Sequence, residues 1–94
     1  MPYILVRHRV TDYDAWKPVF DEHGAVRETH GSGGGYLFRS SHDPNEVVIL
    51  LEWDDLEEAE QFAQSDDLRQ TMQRAGVADR PDVYFLELVG RVPA

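Results

Sequence analysis

The chain has 94 residues, no cysteine, and a formal charge of −9 from 18 aspartates and glutamates against 9 lysines and arginines. The missing cysteine removes a disulfide framework, a thiolate metal site and a Cys nucleophile. The charge argues against a nucleic-acid partner, which needs clustered Lys and Arg to displace counterions. No stretch approaches the roughly 20 apolar residues of a membrane span, and the N-terminus lacks the basic-then-apolar layout of a signal peptide, so the expectation is a cytoplasmic protein with no membrane partner. The length suits a single domain over residues 1–94. A chain this short buries only roughly two thirds of its unfolded surface, and a second copy would add burial.

Residues 3–10 (YILVRHRV) are apolar and β-branched with polar insertions at Arg7, His8 and Arg9, which predicts a first strand. Thr11, Asp12 and Asp14 offer N-caps, and Trp16, Phe20, His23 and Arg27 follow at three- and four-residue spacing, predicting one helix with one apolar face. Pro18 has to sit in the first turns of that helix, because deeper inside it breaks the backbone ladder. Residues 31–35 (GSGGG) read as a helix stop and a flexible connection. A short second strand covers 36–40, turn chemistry 41–45 (SHDPN), and a third strand 46–53 (EVVILLEW). Asp54 or Asp55 caps a second helix through Leu56, Ala59, Phe62 and Ala63, and residues 65–67 re-cap it through Leu68, Met72 and Ala75 until Gly76. Residues 82–89 (DVYFLELV) supply the last strand.

The order is βαββαβ, a ferredoxin-like α+β fold: a four-stranded antiparallel sheet with two helices on one face. Residues 47–51 and 83–86 are unbroken apolar runs, where a sheet with one wet face alternates. Both faces therefore want cover, and the helices supply only one. A second copy of the chain is the economical cover for the other, giving a homodimer whose two sheets enclose a barrel-like interior.

VRHRVTDYDAWKPVFDEH, EVVILLEWDDLEEAEQF and VYFLEL carry a resemblance over residues 3–88 to the antibiotic-biosynthesis-monooxygenase-like members of the dimeric α/β-barrel superfamily. The resemblance implies a homodimeric barrel with a small, mostly apolar cavity per subunit. Its chemistry transfers unevenly. Trp53 aligns with a tryptophan of the quinone-forming oxygenases and the haem-degrading enzymes. The quinone-forming members carry an asparagine four residues before it and a tyrosine six after it, where this chain has Ile49 and Ala59. The haem-degrading members carry their haem-binding histidine ten after it, where this chain has Ala63, and a first-strand asparagine near Arg7 and His8. A binding cavity is thus implied more firmly than oxygenation.

The candidate site follows from the residues left. His8 is the best general base, its unperturbed pKa lying near neutrality, although a core histidine has the same sequence context. Arg7 or Arg39 would steady an enolate or phenolate, with Glu52 and Glu87 as cross-strand partners if they are only ion pairs. Tyr36, Trp53 and Tyr84, with polar tips, are expected to border the cavity and contact a small aromatic ligand. Trp16, Phe20 and Phe62 read as core. His23 and His30 share a helix face two turns apart, too far for one metal ion, and read as solvated; neither metal nor cofactor is expected. The leading expectation is a cofactor-independent monooxygenase-like enzyme acting on a small aromatic or polyketide-like compound. The alternative is a non-catalytic ligand-binding or stress-associated module, favoured if His8 and an arginine both point at the helices.

Overall fold

The computed structural model describes residues 2–94. Eight elements follow in chain order: β1 (Pro2–Arg9), α1 (Tyr13–Glu22), α2 (Gly24–Thr29), β2 (Ser32–Arg39), β3 (Glu46–Trp53), α3 (Leu56–Ala63), α4 (Asp66–Ala75) and β4 (Asp82–Glu87). The strands form one antiparallel sheet in the order β2-β3-β1-β4, so each helix pair makes a crossover and the fold is ferredoxin-like α+β. Within one chain the sheet is open and does not close into a barrel.

Local chemistry sets the boundaries. The Asp12 carboxylate accepts from Asp14 N at 3.1 Å to start α1, and Asp55 accepts from Glu57 N at 2.7 Å to start α3. Ser65 Oγ accepts from Leu68 N at 3.2 Å, the expected re-capping between α3 and α4. Gly76 closes α4 with φ 82°, a left-handed position that glycine adopts without strain. The 41–45 turn is tied by Ser40 Oγ, which accepts from His42 N, and by Asp43, which accepts from Asn45 N.

Two expectations need correction. The first helix pattern is split at His23, where the chain turns once before Gly24 opens α2; Pro18 lies inside α1. The glycine run is not a flexible connection either. Ser32, Gly34 and Gly35 pair with Trp53, Glu52 and Leu51 of β3, with a bulge between Ser32 and Gly34. The reason is close approach: a Cβ on Gly35 would lie 1.9 Å from the Leu50 carbonyl oxygen, so only glycine lets β2 pair there.

Strand alternation divides the sheet into two faces. Ile4, Val47, Ile49 and Trp53 are buried beneath the helices with Trp16, Ala59, Phe62 and Ala75. The opposite face carries the row Tyr36–Leu50–Leu5–Tyr84 and, beside it, Phe38, Val48 and Leu86. Among the described residues no helix covers that face. Tyr36, Phe38 and Tyr84 are 66%, 54% and 56% exposed. The unbroken apolar run of β3 thus has one half of its side chains in the core and the other on the uncovered surface, whereas Val83, Tyr84, Phe85 and Leu86 of β4 are all exposed.

Candidate functional site

Between the sheet and the helices lies a chamber of about 80 Å³. Its floor is Ile4, Val6, Ile49, Leu51, Trp53 and His8 of the sheet, and its roof includes Trp16, Phe20, Phe62 and Met72 of the helices. The period of two in β1 sends His8 to this face, opposite Val47 on β3. His8 is 3% and Trp53 0% exposed. Their Nδ1 and Nε1 atoms are buried without a hydrogen-bond partner. His8 and Trp53 both line this apolar chamber, and an unmet buried polar atom is destabilising by about 1–3 kcal/mol.

An aromatic wall runs away from His8. Its ring meets Trp16 edge-on at 5.8 Å, and Trp16 stacks on Phe20 at 4.8 Å. The Arg27 guanidinium lies 4.0 Å over the Phe20 ring, and its Nη1 donates to the Phe20 carbonyl at 2.9 Å. Phe20, Arg27, Ile49 and Leu51 also line a second, open groove of about 500 Å³ under α2 and the glycine run of β2. The groove and the chamber therefore share a wall.

Burial pushes the His8 imidazole below its ordinary value of 6.5, reinforced by the charge of Arg7 and opposed by the Arg9 backbone and Asp79. The neutral ring is favoured, and a neutral imidazole accepts protons. Burial likewise pulls the Arg27 guanidinium down, with Asp21 opposing, though a guanidinium remains charged in a protein.

The site expectations separate by face. Trp53 and His8 share the chamber. Arg7 stands on the uncovered face, where Glu46 holds it at 2.6 Å and Asp82 at 3.1 Å; these carboxylates raise its pKa. It is an ion-paired residue across the sheet from His8 rather than its neighbour. Arg39 shares the helix-covered face with His8 through the row Arg39–Val47–His8, but its guanidinium lies 4.6 Å over Tyr13 and it does not line the chamber. The expected partners Glu52 and Glu87 bond neither arginine, because Glu46, Asp82 and, for Arg9, Asp43 at 2.8 Å stand closer. Tyr84 lies on the uncovered face, and Tyr36 borders the groove through β2 while its ring stands on the uncovered face beside Phe38 at 6.3 Å.

Two contributors were passed over in the sequence. His23 is not solvated: it is 6% exposed, and its Nε2–H donates to Asp67 Oδ2 at 2.7 Å, tying the α1–α2 joint to α4 on the chamber wall. Arg27 is the other. Both occupy the apolar stripe with Trp16 and Phe20, and polar residues on that stripe were the available signal. Among the described residues no three His, Asp or Glu side chains gather in a metal-binding group.

Fold and site together define a ferredoxin-like α+β protein with one apolar chamber roofed by its helices. A sequence profile described as antibiotic biosynthesis monooxygenase matches residues 12–74, and the chain belongs to that family. Solved structures agree on the fold. SnoaB, a cofactor-independent oxygenase from Streptomyces nogalater, superposes with a TM-score of 0.78 at 15% identity, over 99% of this chain and 97% of that one. A Bordetella bronchiseptica protein assigned to the antibiotic biosynthesis monooxygenases gives 0.78 at 17% identity, over 94% and 96%. An Agrobacterium tumefaciens protein gives 0.71 at 19% identity, over 99% and 98%. At these identities the likeness is one of fold. No curated protein matches the sequence.

Proposed function

We propose that this protein is a cofactor-independent monooxygenase-type enzyme acting on a small hydroxyaromatic or polyketide-like compound held in the chamber. The observation that carries the reading is the pair of unpartnered nitrogens, His8 Nδ1 and Trp53 Nε1, on two residues that line an otherwise apolar chamber. A phenolic or enolic ligand meets both: its hydroxyl proton goes to the His8 nitrogen, and the indole N–H donates to a ligand oxygen. The resulting anion is electron-rich and supplies the electrons for dioxygen itself. A ring methylene plus O2 then gives a ring carbonyl plus water, one oxygen atom in each product. Dry apolar walls favour the step by excluding solvent from the reactive anion.

Oxygen uptake with a dihydroxyanthrone under air tests the reading. Wild-type protein should consume oxygen one-to-one with quinone formed, and His8→Ala should slow turnover about 10²-fold or more, the usual contribution of a general base. Full turnover in His8→Ala removes His8 from the scheme.

A ligand-binding module without turnover is the second reading. It is supported by the position of Arg39 on the same helix-covered face as His8. Retained ligand with no oxygen uptake across hydroxyaromatic substrates decides for it. In either case the uncovered sheet face serves pairing with a second copy, which buries Tyr36, Phe38, Leu50 and Tyr84 and completes the barrel.

A further inference from the structure

We propose that the ligand of the chamber carries a carboxylate and that Arg27, on the wall that the chamber shares with the groove, binds it. The proposal rests on the reading of the chamber as a ligand site and adds the chemical class of the ligand.

The charge inventory makes Arg27 unusual. The chain has 18 carboxylates for 9 lysines and arginines. Arg7, Arg9, Lys17 and Arg69 each hold an aspartate or glutamate within 4 Å. Arg39, Arg74, Arg80 and Arg91 hold none among the described residues, but all four are exposed to water. Arg27 alone combines the two conditions that matter: it is half-buried on a cavity wall, and no described carboxylate pairs with it. A desolvated cation without a counter-ion is unfavourable unless something else supplies the negative charge.

The head group is also fixed in advance. Stacking on Phe20 and one hydrogen bond from Nη1 to the Phe20 carbonyl hold the guanidinium plane, leaving most of its five N–H donors uncommitted. A planar fork of this kind matches a carboxylate in bidentate fashion. A phosphate dianion fits less well, since Glu28 lines the same groove and would repel the uncompensated charge.

The aromatic wall then sets the shape of the ligand. His8 and Arg27 stand at its two ends, with Trp16 and Phe20 between. The complementary molecule is flat and apolar in the middle, hydroxylated at the His8 end and anionic at the Arg27 end. Hydroxylated aromatic acids have this pattern.

Isothermal titration calorimetry at neutral pH and constant ionic strength tests it, with para-hydroxycinnamate and its neutral amide as probes on the full chain. Wild type should bind the carboxylate at least tenfold more tightly than the amide, as expected for charge-assisted hydrogen bonds. Arg27→Met should bind the carboxylate no better than the amide. Equal affinities in wild type, or a preference surviving in Arg27→Met, overturn the carboxylate assignment and leave the chamber standing. Failure of both probes to bind overturns the chamber reading, and this proposal with it. The wild-type comparison stands whatever the stability of the variant.

Discussion

Replacing His8 by phenylalanine should make the protein more stable and less active. In wild type the Nδ1 atom is buried without a partner, which is destabilising by about 1–3 kcal/mol, and phenylalanine removes that atom. The new ring keeps the edge-on contact with Trp16, now 5.8 Å, and its extra bulk points at a chamber of about 80 Å³ rather than at closed packing. After a partial offset for fitting the larger ring, the net gain is about 1 kcal/mol, or roughly 4–8 °C in Tm for a domain of this size. Acid should widen the difference. The folded His8 pKa lies below the 6.5 of the free side chain, so the unfolded chain binds the proton first as pH drops. The wild-type stability attached to this group is complete above pH 6.5 and is lost as pH falls towards the lowered folded value, at a slope of up to about 1.4 kcal/mol per pH unit. The variant has no such component. Urea unfolding followed by circular dichroism, at one protein concentration, at neutral pH and about two units lower, measures both effects. A variant less stable than wild type at neutral pH, or a difference that does not grow with acid, refutes the orphaned-nitrogen reading. Combined with lost oxygen uptake, the expected result means that His8 is kept for chemistry at the expense of stability.

Leu50→Asp puts a carboxylate at the centre of the uncovered face, between Tyr36 and Leu5, and should weaken a dimer at least 10²-fold, because a charge there is buried unpaired on association. Native mass spectrometry should show a wild-type dimer and a monomeric variant; a wild-type monomer overturns the pairing reading. Gly35→Ala should lower unfolding free energy by about 2–3 kcal/mol, because its Cβ meets the Leu50 carbonyl oxygen at 1.9 Å. Gly33→Ala, whose nearest such atom is 3.9 Å away, should be tolerated, and equal effects in chemical denaturation contradict the close pairing of β2 with β3.

Element order was legible because it depends on local signals: the Asp12, Asp55 and Ser65 caps, the Gly76 stop and the two-sided apolar runs of β3 and β4. The glycine run was misread for a physical reason. Glycine's flexibility is visible in sequence, whereas its use for close approach depends on the Leu50 carbonyl of a strand that arrives later in the chain. The site was legible only where one residue decides a face. His8 and Trp53 fall on the covered side, but the partner of Arg7 is set by register, and Glu46 and Asp82 come from two different strands. His23 already falls on the apolar stripe with Trp16 and Phe20, but its partner Asp67 comes from α4, 44 residues later in the chain.

The two faces of the sheet also explain how an acidic chain keeps a cation available for a ligand. Arg7 and Arg9 follow the strand period away from His8, and on that side Glu46, Asp82 and Asp43 neutralise them. Carboxylates are thereby concentrated at the sheet surface and the helix starts, where water or the helix dipole accommodates them. The helix-covered face takes the opposite composition. Its chamber is walled by aromatic and aliphatic side chains, with Asp67 reaching His23 from an exposed position and no carboxylate lining the chamber itself. In that low-dielectric setting the Arg27 charge is less screened than any arginine on the surface, so its attraction for an incoming anion is correspondingly stronger. The excess of negative charge outside and the single arginine on the chamber wall are therefore two sides of one arrangement, in which acids satisfy Arg7 and Arg9 and leave Arg27 for the ligand.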